Sequence, residues 1–311
     1  MPPRRCSSAL AGLFATTTKG AAMTDPLDVL RSPISPVDPD PEFAAVLRER
    51  IVRALLAPPA QEEAMTNVLL RDGVSRNGTR TGDVSYVYFA LPDLDRARAF
   101  YGSVLGWTFA PGRIDPASNQ VDDVIPQLGL WDRPQPSGRW VHGAVLSYRV
   151  DDIEAAQAAV RGHGGTADEV RREPYGLSLD CVDDQGIEFY LHELPPPGRP
   201  APDVGIASGD ISYVNLLVPD TDSALDFYGA VLGWRFDQRS TQGVAPMIGI
   251  GVGSGGRGAV LCFRVDDIGT AVRRVRDAGG EATDPVQRPY ALEADCADDQ
   301  GTPFYLHEFT T

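Results

Sequence analysis

The sequence predicts an α+β protein made of two tandem copies of one unit. GDVSYVYFALPDLDRARAFYGSVLGW (82–107) returns as GDISYVNLLVPDTDSALDFYGAVLGW (209–234), and GAVLSYRVDDI (143–153) as GAVLCFRVDDI (258–268). DCVDDQGIEFYLHE (180–193) then returns as DCADDQGTPFYLHE (295–308), so the order of blocks is the same in both halves. Each copy also repeats within itself: an apolar strand, an Asp, an amphipathic helix, then short strands. SYVYFALPDLDRARAFY and AVLSYRVDDIEAAQAAV are the two instances in the first copy. The chain therefore holds four strand–helix–strands modules.

The helices have readable ends. Asp93, Asp152, Asp220 and Asp267 stand at N-cap positions, where a carboxylate accepts from the free N–H groups of the first turn. Gly164-Gly165 and Gly279-Gly280 stop the later helices, because glycine takes the left-handed cap without penalty. Ala97, Phe100, Tyr101, Val104 and Leu105 share one face of the first helix, as Ala224, Phe227, Tyr228, Val231 and Leu232 do in its counterpart. Trp107 and Trp234 are expected to pack the helix ends. Asp183-Asp184 and Asp298-Asp299 precede Gln-Gly and read as turns between strands. The copies differ in length between 108–142 and 235–257, read as a loop region where specificity can diverge.

The chain has 311 residues, enough for two ordinary domains each able to bury a core. Its 28 basic and 43 acidic residues give a net charge of -15, which repels phosphate backbones and anionic lipid. Neither nucleic acid nor a membrane surface is an expected partner, and no apolar run has the length of a membrane span. Cys6, Cys181, Cys262 and Cys296 show no Cys-x-x-Cys spacing, and three of them fall in apolar strands. Reduced, buried thiols in a cytoplasmic protein are expected.

Five segments follow. Residues 1–22 read as a disordered tag or an overlong start, with export the alternative. Residues 23–81 form an N-terminal extension, in which Asp40-Pro41 opens a helix over about 41–57 and 60–81 is linker. Phe43, Val46, Leu47, Ile51 and Leu55 make a stripe on that helix that must bury against the body or a partner, so a homodimer is one option. Residues 82–194 and 209–311 are the two repeated domains, joined by a Pro-rich linker at 195–208.

A strand ending in V/L-P-D, a helix with A-x-x-F-Y, then L-G-W, V-D-D-I and D-x-x-G before a last strand resembles the vicinal oxygen chelate superfamily of glyoxalases, bleomycin-resistance proteins and extradiol dioxygenases. The resemblance covers about 82–308, twice in order. It implies paired βαβββ modules whose strands curl into a cup, with helices outside and a ligand within. It also implies, in enzymatic members, a divalent metal held by His, Glu or Gln. The corresponding positions here are Tyr86, Val145 and Tyr190 in copy one and Tyr213, Val260 and Tyr305 in copy two. Valine cannot ligate and a neutral phenol is a poor ligand, so no metal and no other cofactor is expected. His142 stands on the wrong strand parity and His163 in a helix-terminating turn.

Strand alternation gives the rest of the lining. If Val87, Phe89 and Leu91 pack under the helices, then Tyr86, Tyr88, Val145, Ser147, Arg149, Tyr190 and His192 face the cup of copy one. Tyr213, Asn215, Val260, Cys262, Arg264, Tyr305 and His307 face that of copy two. For any one Tyr, ordinary strand packing is the competing explanation, and for His192 and His307 a solvated strand end is. No carboxylate is identified to orient either histidine, since Glu193 and Glu308 point the other way. A metal-free protein that binds a small organic molecule ranks first, an enzyme of the same fold second, and a duplicated scaffold third.

Overall fold

In the computed structural model Asp93, Asp152, Asp220 and Asp267 each open a helix, accepting from backbone N–H groups two or three residues on. The helices are α1 (Leu94–Leu105), α2 (Ile153–Gly162), α3 (Thr221–Leu232) and α4 (Ile268–Asp277). Glu193 and Glu308 reinforce two of these ends by accepting from the backbone N–H of Ile153 and Ile268, which is where they turn instead of toward the histidines. The structure describes residues 74–75, 80–112, 119–132, 142–195, 204–253 and 256–309, all within one compact unit, Ala57–Thr311. Residues 1–22, the helix expected at 41–57 and most of both linkers lie outside the described residues.

The main strands of copy one are β1 (Val84–Ala90), β2 (Phe109–Pro111), β3 (Asn119–Val121), β4 (Leu128–Trp131), β5 (Gly143–Arg149), β6 (Gly176–Val182) and β7 (Glu188–Glu193). Copy two supplies β8 (Ile211–Val218), β9 (Phe236–Asp237), β10 (Ser240–Thr241), β11 (Met247–Val252), β12 (Gly258–Arg264), β13 (Ala291–Ala297) and β14 (Pro303–Phe309). Copy one pairs in the order β4–β1–β5–β7–β6, with β1 antiparallel to β5 and parallel to β4, and β7 parallel to β5. Copy two repeats this as β11–β8–β12–β14–β13. The two sheets meet where Ala144 opposes Ala259, and the strands close into a barrel. Short strands Thr166–Ala167 and Arg171–Glu173 edge β6, and Val74–Ser75 pairs with Val204–Gly205.

The stretches 108–142 and 235–257 correct the expectation of loop: each threads three strands, among them LGLW and MIGIGV. These runs are short, apolar and interrupted by glycine, so they carry neither alternation nor helical period. The extra length of copy one falls in the connections 112–118 and 132–142, against 238–239 and 253–257.

Val87, Phe89 and Leu91 are buried toward the helices as alternation requires. The helices do not serve their own copy alone. Tyr101 of α1 packs on Phe89 with ring centroids 5.4 Å apart, and also on Phe263 at 6.3 Å and Phe304 at 5.9 Å in copy two. Tyr228 of α3 packs likewise on Tyr148 and Phe189 of copy one. One hydrophobic core therefore runs through both copies.

The repeated motif residues tie the halves together reciprocally. The Tyr101 hydroxyl donates to Asp298 and that of Tyr228 to Asp183, both at 3.0 Å. Asp183 and Asp298 meanwhile close their turns by accepting from backbone N–H groups, which bears out the turn reading of these pairs. Trp107 Nε1 donates to Gly209 O and Trp234 Nε1 to Gly82 O, each at 3.0 Å. Glycine is needed there: Gly82 has φ 86°, and a Cβ would stand 2.7 Å from Trp234 Nε1.

Candidate functional site

Opposite the helices lies the cup face, and in copy one it opens on a cluster of rings. Tyr88 packs edge-on against Tyr86 at 4.8 Å, Tyr190 at 5.0 Å and Trp131 at 6.0 Å. Tyr86 reaches over β4, where only a glycine fits: a Cβ on Gly129 would overlap its hydroxyl. That hydroxyl donates to Gln120 at 3.0 Å. Copy two repeats the device with Tyr213 over Gly249. There Tyr213, Met247, Cys262, Tyr290 and Ala291 form a second apolar cluster, with Tyr305 and Phe309 against it.

Pairing register defines the row across each sheet. In copy one it runs Tyr86, Ser147, Tyr190, Asp180; in copy two Tyr213, Cys262, Tyr305, Asp295. Ser147 and Cys262, not Val145 and Val260, therefore stand between the flanking tyrosines. Register shifts in β1 between Val84 and Tyr86 and in β8 between Ile211 and Tyr213 move the pairing by one residue. The substitution brings in no imidazole or carboxylate: a serine hydroxyl is a weak ligand, and a thiol ligates only after losing its proton. Burial pushes the Cys262 thiol well above its ordinary value, with Glu293 and Asp295 adding to the shift. Burial likewise raises the phenols of Tyr190, Tyr213 and Tyr305. Asp180 is a carboxylate, yet its Oδ1 is engaged by Arg171. These donors do not fit a divalent metal, and among the described residues no three His, Cys, Asp or Glu side chains gather as a metal set.

The next row holds the histidines, and both are buried: His192 is 3% exposed and His307 1%. This replaces the expectation of solvated strand ends, because Tyr175 packs on His192, and Tyr213, Tyr290 and Phe309 surround His307. His192 Nδ1 lies 3.1 Å from Ser85 Oγ, while its Nε2 has no hydrogen-bond partner. Burial, with a contribution from Arg171, holds its pKa down to about 4. His307 Nδ1 lies 3.3 Å from Ser212 Oγ, and its Nε2 lies 3.2 Å from Glu293 Oε2. Glu293 is thus the orienting carboxylate that sequence reasoning missed. It opposes His307 on β13, where copy one has Ser178. Tyr290 donates to Glu293 at 3.1 Å, and Arg288 stands 3.3 Å from its other oxygen. Interaction with His307, helped by Tyr290 and Arg288, outweighs the upward push of burial and keeps the Glu293 carboxyl below its ordinary range.

Arg149 and Arg264 share the cup-side parity but bind backbone carbonyls at either end of the segment that joins the copies. Arg149 donates to Leu194 O, and Arg264 to Ile206 O and Asp266. Asn215 is half-buried beside Gly251 on the neighbouring strand. His142 bonds Thr302 across the copies, and His163 Nδ1 lies 2.8 Å from Ala159 O at the end of α2. Cys181, Cys262 and Cys296 are free and buried in strands.

Comparison with known proteins follows the same two copies. Residues 210–304 match a family model described as Glyoxalase/Bleomycin resistance protein/Dioxygenase superfamily, and residues 86–192 one described as Glyoxalase-like domain. A comparison with proteins of curated function finds no match. Among solved structures, the 2,3-dioxygenase LapB from Pseudomonas sp. KL28 is similar with a TM-score of 0.53 at 14% identity, covering 75% of this chain and 94% of that one. The Mn(II)-bound glyoxalase from Novosphingobium aromaticivorans is similar with a TM-score of 0.53 at 16% identity, covering 74% and 82%. Homoprotocatechuate 2,3-dioxygenase from Arthrobacter globiformis gives 0.51 at 16% identity, covering 74% and 80%. At such identities the likeness is one of fold.

Proposed function

The chain belongs to the vicinal oxygen chelate superfamily, and from that premise we propose that it binds a small aromatic organic molecule on its cup face without a metal at the family's positions. The observation that carries this reading is the row Tyr86–Ser147–Tyr190 with its counterpart Tyr213–Cys262–Tyr305. Where a metal would need imidazole or carboxylate, both copies present neutral hydroxyl or thiol groups beside aromatic rings. Such a surface offers faces for stacking and a few directed hydrogen bonds, the usual make-up of a small-molecule site.

The test is a thermal-shift screen of aromatic compounds, followed by calorimetry on Tyr86→Phe and Tyr213→Phe. Each substitution keeps the ring and removes one hydroxyl, so folding should change little. Binding of a cup ligand should weaken by about 1 kcal/mol in the copy that binds it. Hits that ignore both substitutions while responding to residues outside the cups would overturn the reading.

A second reading, an enzyme of the same fold, draws on the dioxygenases and glyoxalase among the similar structures and on the His307–Glu293 pair. An imidazole fixed by a carboxylate is an acid–base group in many sites. Against it, both nitrogens of His307 are already engaged, by Ser212 and Glu293. Turnover of a bound aromatic compound that is lost in Glu293→Gln would favour this second reading.

A further inference from the structure

The two cups are covered differently. In copy two the chain enters β13 through a tight hairpin: Val286–Gln287 pairs with Leu292 and Glu293, and the N–H of Arg288 donates to Ala291 O at 2.8 Å. The turn between them, Arg288-Pro289-Tyr290, lies against the cup face. Tyr290 is 6% exposed and packs with Tyr213, Met247, Cys262 and Ala291, its ring centroid 5.9 Å from that of His307.

Three groups meet at Glu293. The Tyr290 hydroxyl donates to Oε2 at 3.1 Å, His307 Nε2 lies 3.2 Å from the same oxygen, and Arg288 stands 3.3 Å from Oε1. Arg288 and Tyr290 belong to the turn, whereas Glu293 and His307 belong to the sheet beneath it. Hydrogen bonds to a carboxylate are roughly twice as strong as neutral ones, so this one side chain ties the turn down.

Copy one has the same turn without the same tie. Glu173-Pro174-Tyr175 stands in place of Arg288-Pro289-Tyr290, and Ser178 in place of Glu293. Tyr175 packs on His192 at 5.2 Å yet stays half-buried. Glu173, opposite in sign to Arg288, lies 3.7 Å from Arg171. The carboxylate and the partners it gathers are thus particular to copy two.

Beneath the turn lies a thiol. Cys262 is 2% exposed and stands in the cup row between Tyr213 and Tyr305, while Cys181 and Cys296 belong to the core shared by the two copies. Local opening exposes such a group without unfolding the rest of the chain.

We propose that residues 288–290 form a strap closed over the cup of copy two and latched by Glu293, so that Cys262 becomes accessible when the latch releases. A cup ligand in copy two then enters by displacing Tyr290, a consequence that rests on the aromatic-ligand reading above; the strap itself does not rest on it.

The test is labelling of the full chain with iodoacetamide, each cysteine read by peptide mass spectrometry, together with amide hydrogen exchange over residues 286–293. Glu293→Gln should speed labelling of Cys262 at least about tenfold and hasten exchange in the hairpin, while Cys181 and Cys296 stay protected. Tyr290→Phe keeps the ring and the carboxylate and removes one bond, so a rise of about fivefold is expected. This second variant separates release from charge, because burial and, after it, Glu293 keep the Cys262 thiol protonated, and losing that charge alone would quicken labelling. Unchanged Cys262 labelling in both variants overturns the proposal. So does a rise in Glu293→Gln alone with hairpin exchange unaltered, or a rise shared by all three thiols in both variants, which would mean that the whole fold had loosened. No ligand enters the experiment, so either result leaves the aromatic-ligand reading to its own test.

Discussion

His192 and His307 occupy the same position in the two copies and live in different surroundings. His192 faces Ser178 and Tyr175 with no charged partner of its own, and burial holds its pKa at about 4 against an ordinary value of 6.5. Between those two pH values the unfolded chain takes up a proton that the folded chain refuses, so stability rises with pH across the window. Lowering the pH from 7 to about 4 should therefore cost about 3 kcal/mol through this residue. His192→Gln should flatten that part of a denaturant-midpoint profile recorded from pH 4 to 7, whereas an unchanged slope would contradict the burial argument. Glu293 adds to the same trend at lower pH. Its depressed pKa gives stability above the ordinary carboxylate range that is lost as the pH falls through the folded value. Much of this site was legible beforehand: strand alternation alone put Tyr86, Tyr88, Tyr190 and Tyr213 on the cup face. Glu293 was not legible, because its partnership depends on which residue of β13 lies across from His307. Pairing between strands is a tertiary fact that one strand's pattern does not contain. The one-residue shift that brings Ser147 and Cys262 into the row was hidden for the same reason.

At the scale of elements, the repeated motifs are mainly devices by which each copy grips the other. In A-x-x-F-Y the Tyr101 hydroxyl reaches Asp298 of the D-D-Q-G turn, and Tyr228 reaches Asp183. The Trp of L-G-W reaches the Gly of G-D-x-S-Y in the opposite copy. Gln300 pairs with both backbone groups of Asp93, as Gln185 does with Asp220. Tyr101→Phe and Tyr228→Phe each strip a buried carboxylate of a donor, and a loss of about 1–3 kcal/mol in chemical denaturation is expected. Phe100→Ala and Phe227→Ala open cavities where the helices meet the opposite sheet and should cost on the order of 3 kcal/mol or more. If these four variants proved neutral while cup variants destabilised, the assignment of faces would be reversed. The helices, their caps and the buried faces were all readable from spacing. Which sheet each face covers was not, since an amphipathic stripe specifies that it must be buried and not by what.

For the whole molecule, the shared core means that neither copy is complete alone. Heating should give a single cooperative transition by near- and far-ultraviolet circular dichroism, and two separable transitions would contradict a common core. Residues 204–311 produced alone would uncover Phe263 and Phe304, which α1 covers in the full chain, so that fragment should self-associate or fail to stay in solution. The duplication thereby builds internally a two-fold arrangement, and that frees the cup faces to diverge without loss of the fold. Divergence is visible in Ser178 against Glu293 and in buried Asp180 against exposed Asp295. On the proposed reading the fold persists here with hydroxyl and thiol groups where metal-binding members of the superfamily need charged or imidazole ligands. The most direct test of that reading is a calorimetric titration of chelator-treated full chain with Mn(II) and Zn(II), repeated on Tyr190→Phe and Tyr305→Phe. No stoichiometric site and no difference among the three proteins is expected; one tightly bound metal per copy, lost when Tyr190 or Tyr305 becomes phenylalanine, would overturn the metal-free reading.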